Sequence, residues 1–164
     1  MSIVLTRIDN RLIHGQVLET WLPYVHANCL VVANEAISSS PLKRMMMEAS
    51  VPSRIRVEIG SIAEITALFG SGQLDDLRVL LLFATTADSL EALNNGLKFE
   101  CLNLGNLHAG QGKTQFSCTV FLDAEDVNNL EMIDVAGVEI TARCIPADTS
   151  RNWRRLIPAK KDDE

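Results

Sequence analysis

The chain has 164 residues and a mass of 18.1 kDa, the size of one ordinary domain. With 47% hydrophobic and 22% charged residues it can bury a full core without disulfide or metal staples. A net charge of −6 and an aromatic share of 5% disfavour a generic nucleic-acid or anionic-membrane binder, which needs cationic surface and stacking rings. The charge is unevenly placed: residues 1–50 carry four basic and four acidic groups, residues 51–150 six basic and fourteen acidic, so the first third is the least hostile to an anionic substrate.

Strand-like and helix-like segments alternate along the chain. Ile3-Val4-Leu5 reads as a short buried strand, followed by a helix from Gln16 to His26 with Val17, Leu18, Trp21, Leu22 and Val25 at helical spacing. Cys29 to Ala33 is a second strand. Ser40-Pro41 predicts a capped helix whose inner face is Leu42, Met45, Met46 and Ala49, so the run Met45-Met46-Met47 reads as helix packing. Ile55 to Ile59 alternates like a half-buried strand, and Ser61 with Glu64 forms a capping box ahead of Ile62, Ile65 and Phe69. Val79 to Phe83 is the most apolar strand and therefore central, and a helix through Leu90 and Leu93 stops at Asn95-Gly96. Cys101 to Leu104 is a strand, Gly105 to Gly112 a glycine-rich stretch, and Phe116 to Leu122 a further strand. Asp123 caps a helix ending near Gly137, Val138 to Ile145 is the last strand, and a short helix lies around Trp153 and Leu156.

Repeated β-α-β units with short connections predict an α/β fold, a single-domain open, mostly parallel sheet of six to seven strands with helices on both faces. The domain spans 1–157, with a short charged tail at 158–164, and the start at Met1 points to a free-standing chain. In such sheets ligands bind outside the carboxyl ends of the strands. Four loops qualify: Ile8 to Gly15, Asn34 to Ser40, Ala84 to Thr86, and Asn103 to Gly112.

The longest apolar run, Val79 to Ala84, is far too short to cross a bilayer, and Arg7, Asp9 and Arg11 lie where a secretory signal needs its apolar stretch. A cytoplasmic location is expected, with Cys29, Cys101, Cys118 and Cys144 as buried, reduced thiols. Gly112-Lys113-Thr114 ends like a P-loop, but Leu107 stands where the leading glycine belongs, and no dinucleotide fingerprint follows the first strand. No G-x-S-x-G elbow occurs, and Asp75-Asp76 and Asp123 to Asp126 read as solvated turns and helix starts. His14, His26 and His108 lack ligand spacing, so no metal and no cofactor are expected.

The first loop carries the chemistry. Arg7-Ile8-Asp9-Asn10-Arg11-Leu12-Ile13-His14-Gly15-Gln16 gathers two arginines, an aspartate and a histidine between a strand and a helix start. A neutral imidazole is a nucleophile without a separate base, an arginine fork fits phosphoryl oxygens, helix-opening amides add donors, and Gly15 leaves room for a bulky partner. The same residues also suit a structural histidine in a capping loop, and composition does not separate the two. Apolar neighbours Leu12, Ile13 and Leu107 fit a docking surface, with Ile13 equally suited to the core.

The stretch Arg7 to Val17 resembles the phosphohistidine loop of IIB components of the bacterial sugar phosphotransferase system, in the mannose/fructose/sorbose family. Arg78 to Phe83, Asn103 to His108, Gly112 to Gln115 and Gly137 to Glu139 fall in that family's order, so the resemblance covers Ile3 to Leu156. It implies a phosphotransferase component in which His14 accepts a phosphoryl group at Nδ1 from a phosphorylated IIA protein and passes it to a sugar during uptake through the IIC and IID membrane subunits. Arg11 then stabilises the phosphoryl group and Asp9 shapes the loop. Asn10, Gly15, Lys43, Thr85, Asn103 and Gly105 fill the implied binding positions, with Arg44 the alternative to Lys43. The pattern departs from relatives at Ala84-Thr85-Thr86, usually richer in proline, and at Asn106, which replaces a second glycine. The alternative is a non-catalytic IIA-binding or regulatory module of the same fold, binding partners without passing the group on.

Overall fold

Val79–Phe83 (β4) is buried at all five positions and alternates between two cores, a pattern that requires cover on both sides of a sheet. In the computed structural model, which describes residues 2–157, β4 lies between β1 (Ile3–Asp9) and β2 (Cys29–Ala33). Beyond β2 comes β3 (Arg56–Gly60). Beyond β1 come β5 (Cys101–Asn106), β8 (Glu139–Ala142) and β9 (Arg151–Asn152), giving the order β3-β2-β4-β1-β5-β8-β9. All neighbours run parallel except β9, which pairs antiparallel with β8. The open, mostly parallel architecture expected from the alternating segments is the one observed.

The pleat sorts the core. Val79, Leu81 and Phe83, with Cys29, Val31 and Ala33, join a cluster containing Ile62 and Ile65 of α4 (Ile62–Gly70), Ala92 of α5 (Thr86–Asn94), Leu130 and Ile133 of α6 (Ala124–Val135), and Trp153 of α7 (Trp153–Leu156). Leu80 and Leu82, with Leu30 and Val32, join the opposite cluster with Leu12, Ile13, Val17, Trp21 and Leu22. The first helix lies on this second face as a π-helical turn Val17–Trp21 running into α1 (Leu22–Tyr24). There Leu22 donates five residues back to the Val17 carbonyl, and Pro23, next in line, has no N–H to give.

Caps follow the sequence closely. Ser61 and Glu64 form their capping box, Asp123 and Asp126 form another, and Thr85 caps α5 by accepting from the Asp88 amide at 3.1 Å. Gly96 (φ 95) and Gly137 (φ 93) end α5 and α6 in the left-handed region that favours glycine.

Several expectations are corrected. β1 does not stop at Leu5 but continues to Asp9, because Arg7 and Asp9 neutralise each other and enter the sheet buried. Residues Phe116 to Leu122 are not one strand. Thr114–Gln115 (β6) pairs antiparallel with Phe121–Leu122 (β7); residues 116–119 bend, and Val120 bridges to Leu107. A one-turn helix, α2 (Glu35–Ser38), stands in the expected loop, capped by Asn34 accepting from the Ile37 amide at 3.0 Å. The face of α3 (Pro41–Ser50) read as internal points outward: Leu42, Met45 and Met46 are 62%, 61% and 64% exposed. Cys29 is buried, but Cys101 and Cys118 are exposed.

A polar cluster fixes the glycine-rich segment to the helices. The Lys113 ammonium donates to Asp126 at 2.6 Å, Asp126 accepts from the Thr86 hydroxyl at 2.7 Å, and Asn129 donates to that hydroxyl at 3.1 Å. Burial raises the Asp126 carboxyl, but Lys113, Thr86 and the Asp123 amide outweigh it and hold it below the ordinary carboxylate range. Asp126 is therefore a buried anchor and not a solvated helix start.

The two kinds of apolar residue respond differently to truncation. Leu81→Ala lowers the unfolding free energy by about 3 kcal/mol, whereas Met45→Ala changes it by less than about 0.5 kcal/mol, both read from urea denaturation.

Candidate active site at the carboxyl ends of β1 and β5

Arg7 sits in the sheet beside Leu82 of β4 and Asn103 of β5 and is completely buried. Its Nη1 donates to Asn103 Oδ1 at 2.6 Å and to the Arg143 carbonyl at 3.0 Å, and its Nη2 donates to the Cys144 carbonyl at 3.0 Å and to Asp9 Oδ2 at 3.2 Å. The guanidinium lies 4.9 Å from the centroid of the Trp21 ring, whose Nε1 donates to the same Cys144 carbonyl at 3.0 Å. Gly105 makes room for it: a Cβ there would stand 2.1 Å from Arg7 Cζ. Burial lowers the Arg7 pKa below the ordinary arginine value against the pull of Asp9, and the group remains cationic.

Asp9 converts that buried charge into loop geometry. Its Oδ1 accepts from the Arg11 amide at 3.1 Å and lies 3.4 Å from Arg11 Nε, and its backbone carbonyl accepts from the Leu12 amide at 2.9 Å. Leu12 takes φ 57, a conformation costly for a leucine, and is held there by burial of its side chain and that of Ile13 in the core. Leu12, Ile13 and Leu107 are all buried, so none of them forms a docking surface.

His14 emerges where the loop meets the helix, its side chain 16% exposed, with Nε2 at 3.0 Å from Asp9 Oδ2. Burial pushes the Asp9 carboxyl up, yet hydrogen bonds from His14 and the Arg11 amide, with the charge of Arg7, bring it below the ordinary range. A carboxylate only accepts, so Nε2 carries a proton, and in the neutral imidazole the lone pair lies on Nδ1. Arg11 stands alongside, its side chain 44% exposed, steered by Nη2 donating to Gln16 Oε1 at 3.2 Å. Gly15 opens the helix with no neighbour within 4 Å of a notional Cβ. The result is an accessible nucleophilic nitrogen, one arginine beyond the Arg7–Asp9 pair, and a helix start, an arrangement suited to receiving a dianionic group.

The other positions singled out in the sequence divide. Asn10 bonds to Asn106 through both side chain and backbone, so Asn106, the residue in place of a second glycine, laces the first loop to β5. Asn103 and Gly105 touch Arg7 from within the sheet. The Thr85 hydroxyl is occupied as a helix cap, and Asn34 donates at 3.2 Å to Asp88 of that helix. Arg44 pairs with Glu48 on its own helix at 3.3 Å, while Lys43 makes no ion pair among the described residues. His26 lies at the other end of the sheet, its carbonyl accepting from Arg78 at the start of β4. Among the described residues no group of three or more His, Cys, Asp or Glu is placed to hold a metal. The residues the sequence reading missed are Trp21, Arg143 and Cys144. Two of them act through backbone carbonyls, which leave no trace in side-chain identity.

The family model described as the PTS system sorbose subfamily IIB component matches residues 3–164. The chain belongs to this IIB family. It is 32% identical over 156 residues to the N-acetylgalactosamine-specific phosphotransferase enzyme IIB component 2 of Escherichia coli, covering 95% of this chain and 99% of that one. It is 26% identical over 157 residues to the mannose-specific EIIAB component of the same species, covering 96% of this chain and 49% of that one. The crystal structure of the IIBSor domain of the sorbose permease from Klebsiella pneumoniae superposes with a TM-score of 0.92 at 29% identity, covering 99% of this chain and 100% of that one. The chain is therefore a phosphotransferase component acting as a phosphocarrier in sugar uptake, within a system of other phosphotransferase components. No helix among the described residues of this IIB component is long and apolar enough to cross a membrane.

Two outcomes follow from the geometry of this IIB chain. Gly105→Ala forces Arg7 from its hole and lowers the unfolding free energy by about 3 kcal/mol in urea denaturation. Because the folded Asp9 pKa is below its unfolded value, its contribution to stability is present above the unfolded pKa and is lost as pH falls through the folded one. Asp9→Asn therefore flattens the acid limb of the stability–pH curve measured by thermal unfolding, below about pH 4.

Proposed function

We propose that His14 is the phosphohistidine of this IIB component, accepting the group at Nδ1 from a phosphorylated IIA protein and passing it to a sugar brought in by IIC and IID membrane subunits. The observation that carries the reading is the 3.0 Å bond from His14 Nε2 to Asp9 Oδ2, which keeps the proton on Nε2 and the lone pair on Nδ1. The Nδ1 lone pair forms the new N–P bond as the N–P bond to the donor histidine breaks and its electron pair returns to the donor. The imidazole then gains positive character, which the Asp9 carboxylate offsets. In the second step the sugar hydroxyl oxygen forms the P–O bond, its proton is released, and Nδ1 recovers its pair.

Arg11 supplies donors to the phosphoryl oxygens, and Gly15 leaves the approach clear. Transfer of this kind depends on positioning and charge stabilisation, which accounts for a site without an acid–base triad. Asn103 and Gly105 serve by holding Arg7, and Asn10 by holding the loop, without touching the group transferred. Thr85 and Lys43 lie outside this set, Thr85 as the cap of α5 and Lys43 on α3. The name of the mannose-specific relative, an EIIAB component, supports a IIA protein as the donor. Donor and acceptor work on the cytoplasmic side, so the chain is cytoplasmic and meets the membrane only through IIC and IID. Names of relatives that mention sorbose, N-acetylgalactosamine and mannose support a monosaccharide as the final acceptor.

Incubation with phosphoenolpyruvate, enzyme I, HPr and the cognate IIA adds one acid-labile phosphoryl group in intact-mass spectrometry, and His14→Ala abolishes it with the fold retained. Arg11→Ala slows acceptance by about 100-fold. Absence of the group with a cognate IIA overturns the carrier reading.

A further inference from the structure

The hairpin of β6 and β7 and the segment after β8 leave a cleft of about 460 Å³ between them, at the carboxyl ends of β5 and β8. Its volume falls in the range of small-molecule sites. Leu104, Val120 and Leu156 give it an apolar floor, and the residues lining it include Ser117, Thr119 and Thr149, whose hydroxyls can serve a polar ligand. A second cleft continues from it, sharing Thr149, Arg151 and Leu156 and adding Arg155.

The two clefts are lined by three arginines, Arg143, Arg151 and Arg155, against one carboxylate, Asp148. Arg143, Arg151 and Arg155 have no carboxylate partner among the described residues. Arg143 is occupied by the carbonyls of Asp148 and Pro146, the Tyr24 hydroxyl and the ring faces of Trp21 and Tyr24, which leaves Arg151 and Arg155 as the arginines open to an anion. The carboxylate in the lining, Asp148, accepts from the Ile145 amide at 3.2 Å, which partly occupies it in the local turn. Such a cleft recognises an anion that also carries hydroxyls and a small apolar face.

We propose that this cleft binds a monosaccharide phosphate, the product class of the carrier reaction; the assignment of the ligand rests on the function proposed above. The wall of the cleft is part of the support of His14. Arg143 and Cys144 line the cleft, and their carbonyls hold the guanidinium of Arg7, which in turn holds Asp9. Product in the cleft therefore bears on the residues that orient the imidazole, and it slows further acceptance of phosphoryl groups.

The test titrates the full chain with a hexose 6-phosphate, with the free hexose and with inorganic phosphate, followed by calorimetry and by amide shifts in NMR. The hexose phosphate saturates the cleft and binds at least about tenfold more tightly than either half alone. Arg151→Ala and Thr119→Val each weaken it, the arginine change by about tenfold or more, and Arg11→Ala leaves it unchanged. Binding that is lost in Arg11→Ala and unaffected by Arg151→Ala overturns the proposal, because the phosphate then sits on the His14 loop. Inorganic phosphate binding as tightly as the hexose phosphate, or no saturation by any probe, also overturns it. Phosphoryl acceptance by Arg151→Ala is measured separately and stays at the level of the unaltered chain but loses its inhibition by hexose phosphate. Failure of His14 to accept a phosphoryl group, with binding in the cleft retained, overturns the carrier reading and leaves the sugar-phosphate site standing.

Discussion

A guanidinium buried in the middle of a sheet is the constraint to which the rest of this molecule answers. Desolvating Arg7 costs several kcal/mol unless a countercharge and enough acceptors surround it. Asp9 supplies the charge, while Asn103 and the carbonyls of Arg143 and Cys144 supply the acceptors. Gly105 supplies the space and Trp21 a ring face. Asp9, held from behind by Arg7, has its remaining acceptor positions directed at His14 and at the Arg11 amide. The tautomer of an accessible histidine is thus fixed by a charge deep in the sheet.

The surrounding architecture keeps that arrangement stiff. Parallel strands bring the carboxyl ends of β1, β4 and β5 together, and the loops leaving them are fastened by short polar links. Asn106 ties to Asn10, Asn34 to Asp88, and Lys113 to Asp126 and through it to Thr86. Each link joins segments distant in the chain, so loops that look irregular in sequence are cross-braced in space. Half of the large exposed apolar residues among those described, Leu42, Met45 and Met46, lie elsewhere, on α3.

The layers of the sheet were legible because apolar runs and caps obey local rules: β2, β4, the Ser61–Glu64 capping box and the Asp123 cap fall where residue type alone puts them. The His14 loop was legible as a concentration of charge and imidazole after a strand. What local rules miss is pairing. A strand containing Arg7 and Asp9 reads as ended at Leu5, since nothing nearby in sequence reveals that the two charges meet inside the sheet. The α3 face failed for the converse reason, because helical periodicity identifies an apolar stripe but not whether anything covers it. Cys101 and Cys118 failed likewise, since apolar neighbours in sequence do not guarantee burial.

The partners of Arg7 come from positions 9, 103, 143 and 144, nearly the full span of the chain. During synthesis the first strand, the histidine loop and the central strand leave the ribosome long before the carbonyls that complete the arginine's shell. Until residue 144 is available, the guanidinium has too few acceptors to be buried, and the sheet around β1 closes only at a penalty. An ordered His14 loop therefore reports completion of nearly the whole domain. A nascent or truncated chain does not offer partners a half-made carrier.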